Sequence, residues 1–81
     1  MYVTGWCPYC DRARAVLEAK GVAIREIDIE AVPGALSEML ARSGQTSVPQ
    51  IFIGAEHVGG SDELVALEAA GQLDPKLKNG A

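Results

Sequence analysis

Two cysteines, Cys7 and Cys10, flank Pro8 and Tyr9 and are the residues of this 81-residue sequence best suited to chemistry. Thiols at this spacing can exchange with disulfides or hold a metal. Exchange needs one reachable thiol that ionises near neutral pH and a second close enough to displace the resulting mixed disulfide. Pro8 suits the first position of a helix, where its missing N–H would have no intrahelical partner. A helix start there surrounds Cys7 with unpaired N–H groups and the positive end of the helix dipole, so its pKa is expected to fall below that of a free thiol. Cys10, three residues on, shares a helical face with Cys7 and lies within reach of a disulfide. The plainer reading is an inert pair that happens to fall three apart. No metal site is expected, because a closed zinc site wants four ligands and the chain adds only His57, which reads as an ordinary strand residue. A cluster shared between two chains, each lending a thiolate, is chemically open, but no sequence feature supports it.

The elements that must position this pair follow from periodicity. Tyr2 to Thr4 is β-prone and runs through Gly5 and Trp6 into the motif. Ala13, Val16, Leu17 and Ala19 recur at helical spacing from Pro8 to Lys20, and Gly21 supplies the stop. Val22 to Ile29 alternates, with Ile24 on one face and Ile27 and Ile29 on the other, as in a strand covered on both sides. After Pro33 and Gly34, the residues Leu36, Met39 and Leu40 mark an amphipathic helix closed by Gly44. Ile51 to Ile53 is a short apolar run joined by Gly54, Ala55 and Glu56 to His57 and Val58, which predicts a hairpin ended by Gly59 and Gly60. Ser61 or Asp62 can cap a third helix carrying Leu64, Leu67 and Ala70. Asp74 and Pro75 open a last short turn, and Lys78 to Ala81 reads as a frayed tail.

The order is therefore β-α-β-α-β-β-α, with residues 1–81 forming one α/β domain. Formal charge is −4 and the seven Lys and Arg residues are scattered, which argues against nucleic acid or an anionic membrane as partner. No basic segment leads into an apolar run at the start, and no stretch is long enough to span a bilayer, so a cytoplasmic protein is expected. Two cysteines are too few for a secreted disulfide framework.

Cys7-Pro8-Tyr9-Cys10, then Ser47-Val48-Pro49-Gln50-Ile51-Phe52-Ile53, then Gly59-Gly60-Ser61-Asp62-Glu63 closely resemble the bacterial dithiol glutaredoxins in order and spacing. The similarity runs from about Tyr2 to Leu77. It implies a thioredoxin fold, a four-stranded mixed sheet flanked by helices, and a glutathione-dependent thiol–disulfide oxidoreductase working through Cys7 and Cys10. Its partners would be glutathione and disulfide-containing or glutathionylated proteins, with glutathione as reductant, no tightly bound cofactor, and a monomeric state. It further implies that Pro49 takes a cis peptide bond, where the residues alone favour a trans proline opening a strand. The Val48 main chain would then pair with the cysteinyl part of glutathione. Gly59-Gly60 alone means only a tight turn. With the resemblance, Gly60 and the N–H groups of Ser61 and Asp62 suit the γ-glutamyl carboxylate, and the Asp62 carboxylate suits the amino group. Tyr9 would wall the groove, or simply supply exposed apolar area.

Some positions depart from that family. Thr4 stands where many relatives carry a lysine, and Gln45 where a basic residue is frequent, so weaker glutathione affinity is expected. Arg12, Arg14 or Arg42 can substitute electrostatically, or simply be solvated helix-face charges. Trp6 before the first cysteine resembles thioredoxin, which keeps open a thioredoxin-like reductase served by a flavoenzyme. A cluster carrier acting as a dimer is the alternative from another class. The first strand, starting at Met1 and Tyr2, is several residues shorter than the family norm, which leaves the sheet edge weaker or the true start upstream.

Overall fold

β1 (Tyr2–Val3) runs parallel to β2 (Ile27–Asp28), with Tyr2 opposite Ile27 and Val3 opposite Asp28. Parallel neighbours need a long crossover, and α1 (Pro8–Ala19) supplies it. Then come α2 (Ala35–Ser43), an antiparallel hairpin of β3 (Ile51–Ile53) and β4 (Glu56–Gly59), and the helices α3 (Ser61–Ala69) and α4 (Leu73–Gly80). The computed structural model describes residues 1–80.

The two strand pairs meet at one antiparallel bridge between Tyr2 and Gln50, each N–H donating to the other's carbonyl at 2.9 and 3.2 Å. Spatial order is thus β2-β1-β3-β4, the mixed arrangement of the thioredoxin fold. Side chains alternate across it. Ile51 faces α1, α3 and α4 in a core of Ala13, Leu17, Leu64 and Leu73. Tyr2 and Phe52 face the other way and meet edge to face at 5.9 Å. There α2 covers them: the Tyr2 hydroxyl donates to Glu38, and the Arg42 guanidinium donates to the Tyr2 oxygen at 2.9 Å and lies 4.1 Å from the Phe52 ring centre. Burial, and then the bond to Glu38, push the Tyr2 phenol pKa up.

Several expectations need correction. The strand expected over 22–29 is regular only at Ile27–Asp28, although Ile24 still packs on the helical core. In α2 the buried residues are Ala35 and Met39, while Leu36 and Leu40 are about half exposed, because the helix presents a narrower apolar stripe than its leucines suggest. Ala19 and Ala70 are exposed at their helix ends. The largest difference is at the end of the chain. In place of a short turn and a frayed tail there is a helix, α4, anchored by the fully buried Leu73 and through Lys20, which bridges Glu68 at 2.7 Å and Asp74 at 2.9 Å. Of the expected tail, Ala81 lies outside the described residues.

Candidate active site

Cys7 occupies the N-cap position of α1 in extended conformation (φ −155°, ψ 99°), with Pro8 as the first helical residue. Its sulfur accepts a hydrogen bond from the Cys10 N–H at 3.1 Å, the role usually taken by a Ser or Asp oxygen. Cys7 and Cys10 form a disulfide, their Cα atoms 5.1 Å apart. Both pack with Val3, but Cys10 is 1% exposed whereas Cys7 keeps 9% of its surface accessible. An attacking thiolate must be reached and a resolving thiol need not be, so the less buried Cys7 is the better suited of the two to attack. On reduction, the Cys10 N–H and the start of α1 stabilise a sulfur anion at Cys7 more than a thiol.

Facing the cysteines is the loop before β3. The Val48–Pro49 peptide is cis, and the Val48 carbonyl oxygen lies 3.9 Å from the Cys7 sulfur. An open groove of about 210 Å³ starts here, lined by Tyr9 on one side, Val48 and Pro49 along its floor, and Gly60, Ser61 and Asp62 at its far end. Six positions singled out in the sequence thus line one groove, although they come from three segments. Tyr9 is 60% exposed, free to cover a bound molecule.

The far end is built by the start of α3. Its N-cap is Gly60, one residue before Ser61 and two before Asp62, the caps expected from the sequence, and no side chain caps the helix. The first N–H groups of α3 therefore open into the groove with the positive end of the dipole behind them. Glu63 turns back instead, its carboxylate accepting from the Gly60 N–H at 3.4 Å. Gly59 holds φ 121°, a left-handed conformation that suits glycine, and a Cβ there would lie 3.0 Å from the Glu63 side chain.

Of the three arginines weighed as substitutes for the missing lysine, only Arg12 pairs with a residue of the groove, 3.5 Å from the Asp62 carboxylate. Arg14 is tied to Glu26 and Asp11, and Arg42 to Tyr2 and Phe52. Thr4 donates to the Trp6 carbonyl at 3.4 Å, and Trp6 stands 86% exposed beside Cys7. Ser47, Gln50 and Glu63 also line the groove and were not singled out. They lie inside the recognised motifs, but the side-chain directions of Ser47 and Gln50 depend on the cis turn and that of Glu63 on the start of α3. Gln45, noted only as a departure, lines it too.

Comparison with known proteins agrees with this geometry. The family model for glutaredoxin matches residues 1–58. Glutaredoxin 3 of Escherichia coli is 53% identical over 78 residues, covering 96% of this chain and 94% of the relative. The solution structure of glutaredoxin from Brucella melitensis superposes with a TM-score of 0.84 at 52% identity, over 99% of this chain and 87% of that one. A buckwheat glutaredoxin–glutathione complex superposes with a TM-score of 0.88 at 27% identity, over 96% and 74%. A motif in which the sulfur caps a helix, a groove beside it and relatives matching almost end to end lead to one conclusion: this chain belongs to the glutaredoxin family of thiol–disulfide oxidoreductases.

Proposed function

We propose that Cys7 and Cys10 reduce protein disulfides and glutathione mixed disulfides, with glutathione bound along the groove from Val48 to Asp62. The observation that carries this reading is that the start of α3, with no side-chain cap, lines one groove with the cis Val48–Pro49 turn, whose Val48 carbonyl lies 3.9 Å from the Cys7 sulfur. The cysteinyl part of glutathione pairs with the Val48 main chain in strand fashion beside Cys7. Its γ-glutamyl carboxylate takes the N–H groups of Ser61 and Asp62, Gly60 leaves the approach open, and the Asp62 carboxylate takes the amino group. Pro49 and Tyr9 supply the apolar contacts. The glutathione complex of the buckwheat relative supports the same ligand class here.

The Cys7 thiolate attacks one sulfur of the target, forming a mixed disulfide on Cys7 and expelling the other sulfur as a thiolate that takes up a proton. With a protein disulfide, the Cys10 thiolate displaces the target and leaves the Cys7–Cys10 bridge, which two glutathione molecules reduce in turn. With a glutathionylated target, the protein thiol leaves and glutathione remains on Cys7, so a second glutathione clears it as glutathione disulfide. Glutaredoxin potentials of about −200 to −230 mV lie close to the glutathione poise of the cytosol, so both directions are feasible. The chain is proposed to act there as a single domain and a monomer, since the groove and both thiols come from one chain. Among the described residues no helix is long and apolar enough to cross a membrane.

Turnover of a glutathione mixed disulfide with glutathione, glutathione reductase and NADPH tests this directly. Wild type and Cys10→Ser are expected to turn over, and Cys7→Ser to fall to background. Cys10→Ser is expected to lose reduction of protein disulfides. Silence of the wild type with glutathione, together with activity with thioredoxin reductase, would replace glutathione as the reductant.

A further inference from the structure

Loop residues Gln45, Thr46 and Ser47 are exposed and belong to no strand, yet they lead into the groove floor at Val48 and Pro49. Their tethers are few. Ser43 Oγ accepts from the Gln45 N–H at 3.1 Å and lies 3.2 Å from the Gln45 carbonyl, and the other side-chain contacts to this loop among the described residues come from Gln50. Gln50 is 1% exposed. Its amide nitrogen donates to the Ser47 carbonyl at 2.9 Å, with Gln45 Oε1 at 3.2 Å and Ser47 Oγ at 3.3 Å as further acceptors.

A carbonyl oxygen can only accept, so the contact with Ser47 fixes which way the Gln50 amide faces. Its Oε1 then points to His57 on β4, 2.7 Å from Nε2. That nitrogen must carry a proton, a condition met by the neutral Nε2–H tautomer and by the imidazolium alike. His57 itself packs at a tilt against Phe52, ring centres 4.9 Å apart and planes inclined by 32°. The chain of contacts runs from the hairpin through a buried amide to the groove wall.

We propose that His57 is a positioning residue for glutathione: it locks the Gln50 amide, which holds the Ser47 carbonyl and thereby the Val48 main chain in the geometry that pairs with the ligand. This rests on the glutathione reading of the groove. His57 does not line the groove and touches no reacting atom. Without it, Gln50 Oε1 is a buried acceptor with no donor, the amide is free to turn, and Ser47 loses its anchor. Such a loss weakens ligand binding without changing the sulfur chemistry, so it belongs in KM and not in kcat.

The test is the steady-state KM for a glutathionylated peptide in wild type, His57→Phe and His57→Gln. His57→Phe keeps a ring against Phe52 and removes the donor; it is expected to raise KM roughly fivefold with kcat within about twofold. His57→Gln restores an N–H donor and is expected to recover most of the loss. Should His57→Phe not fold, His57→Asn, too short to reach Gln50, reads the same quantity. An unchanged KM in the folded donor-free variant, or no recovery with His57→Gln, overturns the proposal. A wild type that does not saturate with the glutathionylated peptide overturns the groove reading itself, and the two failures are distinct.

Discussion

Two helices begin within this site, and they use their first turns in opposite ways. At α1 the N-cap is Cys7, whose sulfur takes the Cys10 N–H and so satisfies the helix with the nucleophile itself. At α3 the N-cap is Gly60, which has no side chain, and the first turn stays open toward the groove. One helix dipole is directed at the reacting atom and the other at a place where an anion can arrive. On the proposed reading the same backbone device serves activation in one element and binding in the other, and the cap residue distinguishes them.

The comparison is most directly broken at α1. In the reduced protein near pH 7, Cys7 is expected to be alkylated by iodoacetamide roughly tenfold faster than Cys10 or more, since each pH unit by which the thiolate is favoured gives about a tenfold gain. Equal rates, read by mass spectrometry of the labelled peptides, would mean that the α1 cap does not activate Cys7.

Filling the α3 cap sharpens the contrast. Gly60 has φ −91°, compatible with any L residue, and a Cβ there meets the Pro49 carbonyl at 3.5 Å and Glu63 Oε2 at 4.0 Å, both ordinary contacts. Gly60→Asp is expected to close the helix end with a carboxylate and raise KM for glutathionylated substrate about fivefold, equivalent to about 1 kcal/mol. Stability should hold or rise slightly. A KM that does not move would place the anion elsewhere.

The smallest effect separates the cap from the anchoring of its helix. Arg14 binds Glu26 through two nitrogens at 2.9 and 2.6 Å and thereby ties α1 to the segment entering β2. That hydrogen-bonded guanidinium holds the Glu26 pKa below its ordinary 4.5. A depressed carboxylate pKa stabilises the fold above the unfolded value, and the contribution disappears as pH falls through the folded value. Glu26→Gln is therefore expected to cost about 0.5 kcal/mol in urea unfolding at pH 7 and nothing at about pH 2, with the alkylation ratio of the two cysteines unchanged.

This contrast also explains what could be read in advance. The redox half is local: Cys7, Pro8 and Cys10 carry their own helix start, and a tetrapeptide suffices to place them. The groove is assembled from residues tens of positions apart, and nothing in Val48, Gly60 or Asp62 alone says that they meet. Their resemblance to a known pattern brought them together, including the cis turn at Pro49 that local preference argues against. The cap of α3 was displaced by one or two residues because Ser61 and Asp62 are better capping types than glycine, and only backbone geometry decides between them. His57 reads in the sequence as an ordinary strand residue for a related reason, since its contact depends on a glutamine seven residues earlier reaching across the hairpin. Helix α4 was underestimated because its anchors, Leu73 and the Lys20 bridge to Asp74, act at long range.

The bridge between Tyr2 and Gln50 joins the two halves of the sheet, and Gln50 directly follows the cis-proline of the groove. The seam of the sheet and the rim of the binding site are thus one residue. Amide hydrogen exchange at Tyr2 and Gln50 reports the opening of that seam, and a ligand laid along Val48 must slow it. On the proposed binding mode, cohesion of the sheet becomes a gauge of occupancy.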